Sequence, residues 1–460
     1  MRERYCIIGA GSSGIAVAKT FVERGIPFDL LEREPDIGGL WNIATNSGIV
    51  YESTHLVSAI NTTAFVDYPI NTEAPGAMPD YPGHAWVVDY FRSYMKSFGI
   101  APHLQTNTSV ENATPAGDGS WRVKIAGEAQ PRTYTGVVVA NGHHDTPRRP
   151  TYPGIFSGEI IHSRDYKSQR QLRDKRVLVV GAGNSGCDII KDAVHVSGAP
   201  AVLSMRRGTW FVPKFILGFP TGDILANVEW ALTPLPRALK SWLFQISLWV
   251  LQGPPSRYKL PDPDYRIDAA HPTMSDDVPR LAAHGRIRVR PAIERFDGHD
   301  VVFTDGSRET VDIVVLATGY ELSIPFLATK HYMGANGKPR LYLNTVHPEH
   351  PGLFFAGLIQ ANGSIWRLAA LQGKIIANAI IAERAAPDEA RAFRNRVATG
   401  AGPVSTESFV ASDRHKLEAN YFDYARTLKR VVKMFKKTRT AGFIASDDAT
   451  ESAEMRQAAE

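Results

Sequence analysis

Residues 5–14 read YCIIGAGSSG, and residues 177–186 read VLVVGAGNSG. Each is a short apolar run, then Gly-x-Gly-x-x-Gly, then a segment with apolar residues at helical spacing: Ile15, Val17, Ala18 and Phe21 in the first, Ile189, Ile190 and Val194 in the second. A lone glycine triplet is a weak signal, because glycines serve many turns. Between a strand and a helix it has a defined use. The first glycine permits the tight turn, the second lets a pyrophosphate approach the backbone, and the third lets helix and strand pack closely. The amides at the helix start then stabilise phosphate charge. The chain carries this unit twice, with Gly9 and Gly181 lying 172 residues apart.

A weaker pairing extends the repeat. VVVANGHH at 137–144 and IVVLATGY at 313–320 are both buried-looking strands ending in a small residue and glycine. Such strands mark where a chain leaves one domain and re-enters it. At 460 residues the chain exceeds the usual single domain. The expected fold is α/β, with two Rossmann-like dinucleotide-binding domains, the second inserted into the first. The boundaries predicted are 1–163 and 309–460 for the first domain and 164–308 for the second. Residues 131–136 and 147–153, polar or proline-rich, read as connections. Residues 213–275 hold many prolines and a helix-like stretch, Pro236 to Leu251, and read as a cap over a cleft. Arg414 to Lys437 has helical spacing with late basic residues, and the chain beyond Thr438 reads as frayed and polar.

The residue after each unit's second strand separates the two sites. FDLLERE at 28–34 places Glu32 to accept hydrogen bonds from an adenosine ribose, and its charge would repel a 2'-phosphate. The same offset in the second unit lands on Ser204, or on Met205 if the turns at Gly25 and Gly198 are aligned. Neither is acidic, and Arg206 and Arg207 follow. A hydroxyl with guanidinium groups suits a 2'-phosphate. The first site is therefore expected to take FAD and the second NADPH, with a solvated arginine pair as the plainer alternative for Arg206 and Arg207.

Composition is compatible with this. An apolar fraction of 43% and a charged fraction of 22% fit folded domains. The net charge of +5 is not gathered into a basic run and by itself fits a binder of small anions as easily as a protein that touches nucleic acid; with two dinucleotide sites, no nucleic-acid partner is expected. Cys6 and Cys187 are far apart and form no Cys-x-x-Cys. The chain enters a strand at Tyr5, leaving no room for a leader, and a cytoplasmic location is the default expectation. The longest apolar run, Trp242 to Leu251, is shorter than the roughly 20 residues of a membrane span. It reads as a buried helix or as a surface resting on a membrane. A homodimer is compatible with the sequence but not specified by it.

Two dinucleotides on one chain point to a flavoprotein that takes hydride from a nicotinamide. Without a cysteine pair, the reduced flavin must pass electrons elsewhere, and oxygen is the obvious acceptor. Here the sequence resembles the flavin-containing monooxygenases. The resemblance lies in GAGSSG with Glu32, GGLWN at 38–42, INTTAFVDYP at 60–69, PDYPGHAWVVDYF at 79–91, FSGEIIHSRDY at 156–166, GNSGCDI at 183–189, ATGY at 317–320 and FFAGLIQ at 354–360, in order and spacing over nearly the whole chain.

That resemblance implies roles residue by residue. Gly9, Ala10, Gly11, Ser12 and Ser13, with Gly14 closing the motif, would hold the FAD pyrophosphate. Glu32 would hold its ribose, and Gly39, Leu40 and Trp41 would continue along the cofactor. Asn61 would sit at the reactive edge of the flavin, with Ile60 toward NADP and Thr62 toward FAD. Ser185, Gly186, Cys187 and Asp188 would line the NADP pyrophosphate beside Gly181, Gly183 and Asn184. The implied chemistry is reduction by NADPH, formation of a C4a-hydroperoxyflavin with O2, and oxygen transfer to an amine or thioether. A ketone, oxidised by the Baeyer-Villiger route, is the alternative; an NADPH oxidase and a non-catalytic flavin-bound scaffold are further ones. Baeyer-Villiger relatives end the fingerprint in tryptophan where this chain has Tyr166, and they carry a different stretch after GGLWN, which here runs into IATNSGIVYES. Both departures favour nitrogen or sulfur, although some relatives with the tyrosine form accept ketones.

Within the fingerprint, Phe156, Gly158, His162 and Tyr166 are expected to form a joint between the two nucleotide sites, with His162 structural rather than proton-transferring. His143 and His144 are adjacent but lack further ligands, so a linker role is expected and no metal.

Overall fold

Tyr5–Ile8 and Val177–Val180 become the central strands of two five-stranded parallel sheets. Both strands are buried along their whole length, as a strand covered on both faces must be, which is why their sequences are continuously apolar. A computed structural model of the chain describes residues 3–70, 78–232, 234–335, 337–400, 409 and 417–443.

The sheets have matching layouts. In the first, Phe28–Leu31 and then Leu104–Gln105 lie on one side of Tyr5–Ile8, and Gly136–Val139 and then Leu353–Phe355 on the other. In the second, Ala201–Ser204 and then Ile287–Arg290 lie on one side of Val177–Val180, and Ile313–Leu316 and then Glu159–His162 on the other. In each, a separate three-stranded antiparallel sheet precedes the strand that returns beside the central one: Val110–Pro115, Trp121–Ile125 and Arg132–Tyr134 before Gly136–Val139, then Ile293–Asp297, Asp300–Phe303 and Arg308–Thr310 before Ile313–Leu316. The repeat seen in the glycine loops therefore runs through the whole architecture.

These pairings move the expected boundaries outward. Ile313–Leu316, assigned to the first domain by a limit at 308, pairs with Val177–Val180 in the second sheet. Glu159–His162, placed before a limit at 163, is the edge strand of that same sheet. Strand runs were legible, but which sheet a strand joins is decided by non-local pairing. Arg132–Tyr134, read as connection, is a strand. The crossings themselves run side by side, Thr146–Pro147 pairing antiparallel with Tyr320–Glu321.

Ser12–Arg24 packs on Ile365–Ala385, where Gly373 has no Cβ to meet the Val17 Cα, which would stand 3.2 Å away. Ile365–Ala385 is long and apolar enough to cross a membrane, yet its most apolar stretch is 72% buried inside the protein. Tyr421–Met434 adds Tyr424, Leu428 and Val431 to the same core, in line with the predicted helix; Arg414 at that helix's expected start, and residues 444–460, lie outside the described residues.

The insertion forms a hairpin, Phe215–Ile216 with Phe219–Pro220, and two helices, Thr221–Leu232 and Arg237–Gln252. The second helix matches the expected one but is only half covered: Trp242 and Trp249 are each about half exposed.

Candidate active site

The two glycine loops solve the same steric problem. Gly9 and Gly181 have φ of 105° and 106°, in the region that favours glycine. A Cβ on Gly14 would stand 1.8 Å from the Gly9 carbonyl oxygen, and one on Gly186 would stand 1.9 Å from the Gly181 oxygen. These four glycines are demanded by the fold. Gly11 is different. Its φ of −78° suits any residue, and a Cβ there would meet nothing nearer than the Gly39 Cα at 3.7 Å. The chain keeps this space clear without filling it, as a loop that admits a phosphate should.

Behind the loops, Ser12–Arg24 and Asn184–Val196 start at Gly11 and Gly183 with no side-chain cap and no acid in the first turn. Their leading amides face an anion-ready end. Gly39 sits against Gly11, and Gly357 against Ser13, so GGLWN and FFAG both close on the first loop. Leu40 and Trp41 are half buried beside it.

Glu32 is buried, one oxygen accepting from the Ala10 amide at 2.7 Å and the other from the Glu34 amide at 3.0 Å. Burial pushes its carboxyl up, against the pull of those amides. It thus braces the first loop and keeps further lone pairs for another donor.

The second site departs from expectation in three places. Ser204 is buried, and its hydroxyl donates to the Pro291 carbonyl at 2.7 Å, so it does not face a 2'-phosphate. Arg207 pairs with Asp264 and stacks on Tyr265 at 4.6 Å, which leaves Arg206 as the exposed guanidinium without a hydrogen bond among the described residues. Cys187 is buried beneath the loop, so its side chain does not line the opening, while Asp188 is partly buried and accepts from the Tyr51 hydroxyl at 3.0 Å. Asn184 accepts from the Met274 amide at 3.1 Å, and Thr273 donates to the Ala182 carbonyl at 3.0 Å, so an insertion strand lies along this loop.

Asn61 is exposed on the short helix Ile60–Thr63. Its carbonyl accepts from Arg367, and its Nδ2 points at Asp223 Oδ2, 3.4 Å away on the first insertion helix. Ile60 is wholly buried, so only its backbone can face a ligand, and the Thr62 hydroxyl is turned to the Ala59 carbonyl at 3.0 Å. Gly222 approaches Thr62 so closely that a Cβ would stand 3.2 Å from its Oγ1. The insertion covers the Asn61 helix, as a cap would. Asp223 went unnoticed in the sequence because nothing local distinguishes it.

The fingerprint segment is the second sheet's edge strand and the turn after it. Phe156 stacks near Phe296, with ring centres 5.1 Å apart, and Gly158 gives room to that ring and to the Asp312 carbonyl. His162 Nδ1 accepts from the Arg164 amide at 3.1 Å, so its Nε2 carries the proton and donates to the Gly319 carbonyl at 3.1 Å. Burial, reinforced by Arg149, holds the ring below its usual pKa. His162 thus ties the edge strand to the crossing ribbon. Tyr166 donates to Asp192 at 2.8 Å, and Ser53 from the first domain donates to the same carboxylate oxygen. Asp145, in the outgoing crossing, pairs with Arg33 at 2.9 Å and Arg164 at 3.1 Å. Replacing Tyr166 by Phe removes one of two donors to a buried carboxylate, and the folded state is expected to lose about 1–3 kcal/mol. Denaturant midpoints of both proteins measure it, and unchanged midpoints would contradict the role.

The profile of the flavin-binding monooxygenase-like family matches residues 2–443. The chain belongs to this family. A flavin-containing monooxygenase 5 of Rattus norvegicus is 31% identical over 453 residues, covering 92% of this chain and 81% of the relative. Flavin-containing monooxygenase 2 of Homo sapiens is 30% identical over 454 residues with the same coverage. Among solved structures, S-allyl-L-cysteine S-oxygenase from Allium sativum superimposes with a TM-score of 0.65 at 21% identity, over 99% of this chain and 93% of that one. As a flavin-binding monooxygenase the chain is an oxidoreductase, and its two-sheet architecture is that of its structural relatives.

His331, His347 and His350 bring one ring nitrogen each within 4.8 Å of one another. The His347 Nδ1 accepts from the Glu349 and His350 amides at 3.0 and 2.9 Å, so its Nε2 carries the proton, which is the wrong tautomer for a metal ligand there. His143, on the outgoing crossing, is partly buried with its Nε2 3.3 Å from Gln360 Oε1.

Proposed function

We propose that the chain is an NADPH- and O2-dependent flavin monooxygenase that oxygenates soft nitrogen or sulfur nucleophiles, amines and thioethers. The observation that carries this reading is the paired glycine loops, the first with Gly11 holding open a space that the fold leaves unfilled. FAD bound at the first sheet would supply the oxygen-transfer chemistry, and NADPH bound at the second would supply the reducing equivalents. The chain's own part is to bind, orient and shield. Gly9 to Ser13 present amides to the FAD pyrophosphate, and Glu32 offers its remaining lone pairs to the ribose. Gly181 to Ser185 do the same for NADP, with Arg206 on the 2'-phosphate. Asn61 presents an amide at the reaction site, against the first insertion helix. Two buried thiols fit a reducing, cytoplasmic setting.

The Tyr166 form of the fingerprint supports heteroatom substrates over ketones. The deciding experiment offers a thioether and a cyclic ketone together with NADPH and identifies the products. Sulfoxide should dominate; a dominant ester would assign Baeyer-Villiger chemistry instead, and NADPH consumption with only hydrogen peroxide would make the protein an oxidase.

Arg206→Ala should raise the KM for NADPH more than about tenfold over its effect on NADH, the scale of one charge-assisted phosphate contact. Arg207→Ala should do less, since Arg207 is already paired with Asp264. Equal effects of Arg206→Ala on both nucleotides would remove the 2'-phosphate assignment.

A further inference from the structure

Asp223 is out of place for a surface carboxylate. It lies in the first turn of Thr221–Leu232, where the insertion meets Ile60–Thr63. One oxygen, Oδ2, faces the Asn61 amide at 3.4 Å, the outer limit of a hydrogen bond. The other, Oδ1, is shielded from solvent and has no partner. Buried carboxylate oxygens are ordinarily satisfied, and one left bare calls for an explanation.

No protein cation supplies it. Among the described residues Asp223 has no ion pair. Arg367 is committed to the Asn61 and Ala64 carbonyls. Lys214 places its ammonium 5.4 Å from the Tyr81 ring centre, and its backbone amide donates to Asp276. Tyr81, whose hydroxyl Asp223 helps keep protonated, donates instead to the Lys214 carbonyl. The Asp223 carboxylate thus stands beside Asn61 with no counter-ion among the described residues.

We infer that Asp223 is a specificity residue that receives an ammonium group of the substrate, so that the preferred substrates carry a protonated nitrogen apart from the thioether sulfur or free-base amine nitrogen that is oxygenated. This rests on the reading of the Asn61 surroundings as the reaction site. A substrate ammonium that approaches the carboxylate from the exposed side, where Oδ2 faces Asn61 Nδ2, places the rest of a short molecule beside the Asn61 amide. Neutral molecules of the same size leave the carboxylate without a counter-ion.

Two probes of one shape separate charge from size: 3-(methylthio)propylamine, cationic at neutral pH, and methyl butyl sulfide, in which a methyl replaces the ammonium. Their affinities are measured by calorimetry on the holoenzyme with FAD and NADP+ bound, and sulfoxide formation is followed separately under turnover. The wild type should bind the cationic probe at least about tenfold more tightly than the neutral one, the scale of one charge-assisted hydrogen bond. Asp223→Asn should bring that ratio close to one, and Asp223→Glu, which keeps the charge, should retain part of it. Equal affinities in the wild type, or a ratio unchanged in Asp223→Asn, would overturn the inference. Selective binding of the cation with no sulfoxide from either probe would leave Asp223 as assigned and would count against the proposed reaction.

Discussion

Gly14→Ala is expected to yield no stable folded protein, whereas Gly11→Val is expected to fold and to lose flavin. The two residues are three apart in one loop, and their surroundings dictate opposite failures. A methyl on Gly14 would stand 1.8 Å from the Gly9 carbonyl oxygen and 3.0 Å from its carbon, both backbone atoms that no side-chain rotation can move. Relief requires prising the helix from the strand it packs on. On the scale of severe single substitutions this is above about 4 kcal/mol, a large part of a domain's stability. At Gly11 the backbone is unstrained and a Cβ has room, so a larger side chain intrudes only on whatever occupies the cleared space. The measurement is soluble yield with circular dichroism, followed by flavin absorbance of the purified protein. A yellow Gly11→Val protein with a full flavin complement would remove the loop from the cofactor site. Gly186→Ala should repeat the Gly14 result in the second domain, because its Cβ would stand 1.9 Å from the Gly181 oxygen.

The second large effect is acid sensitivity above the carboxylate range. His347 is 3% exposed, and burial together with His350 and Arg340 lowers its pKa to about 4. In the unfolded chain a histidine titrates near 6.5. Between those values the unfolded chain takes up a proton that the folded one refuses, so stability is complete above about pH 6.5 and falls as the pH drops toward 4. The window corresponds to about 3 kcal/mol from this one ring. Burial lowers His162, His143 and His331 as well, and their contributions have the same sign. Glu32 and Asp188, raised by burial, act in the opposite direction, since acid relieves their charge. His347→Asn keeps an acceptor for the Glu349 and His350 amides and removes the titration. Denaturant stabilities at pH 7 and pH 5 should show a shallower loss in the variant, and parallel slopes would refute the assignment.

Features fixed by short-range geometry were legible in the sequence. Gly14 and Gly186 are required by clashes with the carbonyls of Gly9 and Gly181, and Gly9 and Gly181 by their own positive φ, so their spacing carried the two dinucleotide folds. Features fixed at long range were not. Ser204 was read as facing a phosphate, but its hydroxyl turns to Pro291, 87 residues away, which the neighbouring strand brings alongside by pairing Arg290 with Ser204. Arg206 and Arg207 look equivalent in sequence and are not, because Asp264 and Tyr265 return from the insertion to occupy one of them. The segment FSGEIIHSRDY stood out as diagnostic, yet its place as a sheet edge depended on Ile313–Leu316 arriving beside it. The Asn61 and Asp223 contact spans 162 residues and left no local trace.

The nested layout also sets an order of assembly on the ribosome. Every strand of the second sheet lies between residues 159 and 316, so that sheet can close as soon as Leu316 has emerged. The first sheet must wait for Leu353–Phe355 to fill its edge, and the helix Ser12–Arg24 stays bare on one side until Ile365–Ala385 follows. The amino-terminal domain is therefore the later one to mature. During synthesis its apolar strands are held out to the cell's chaperones while the domain nested inside it is already complete.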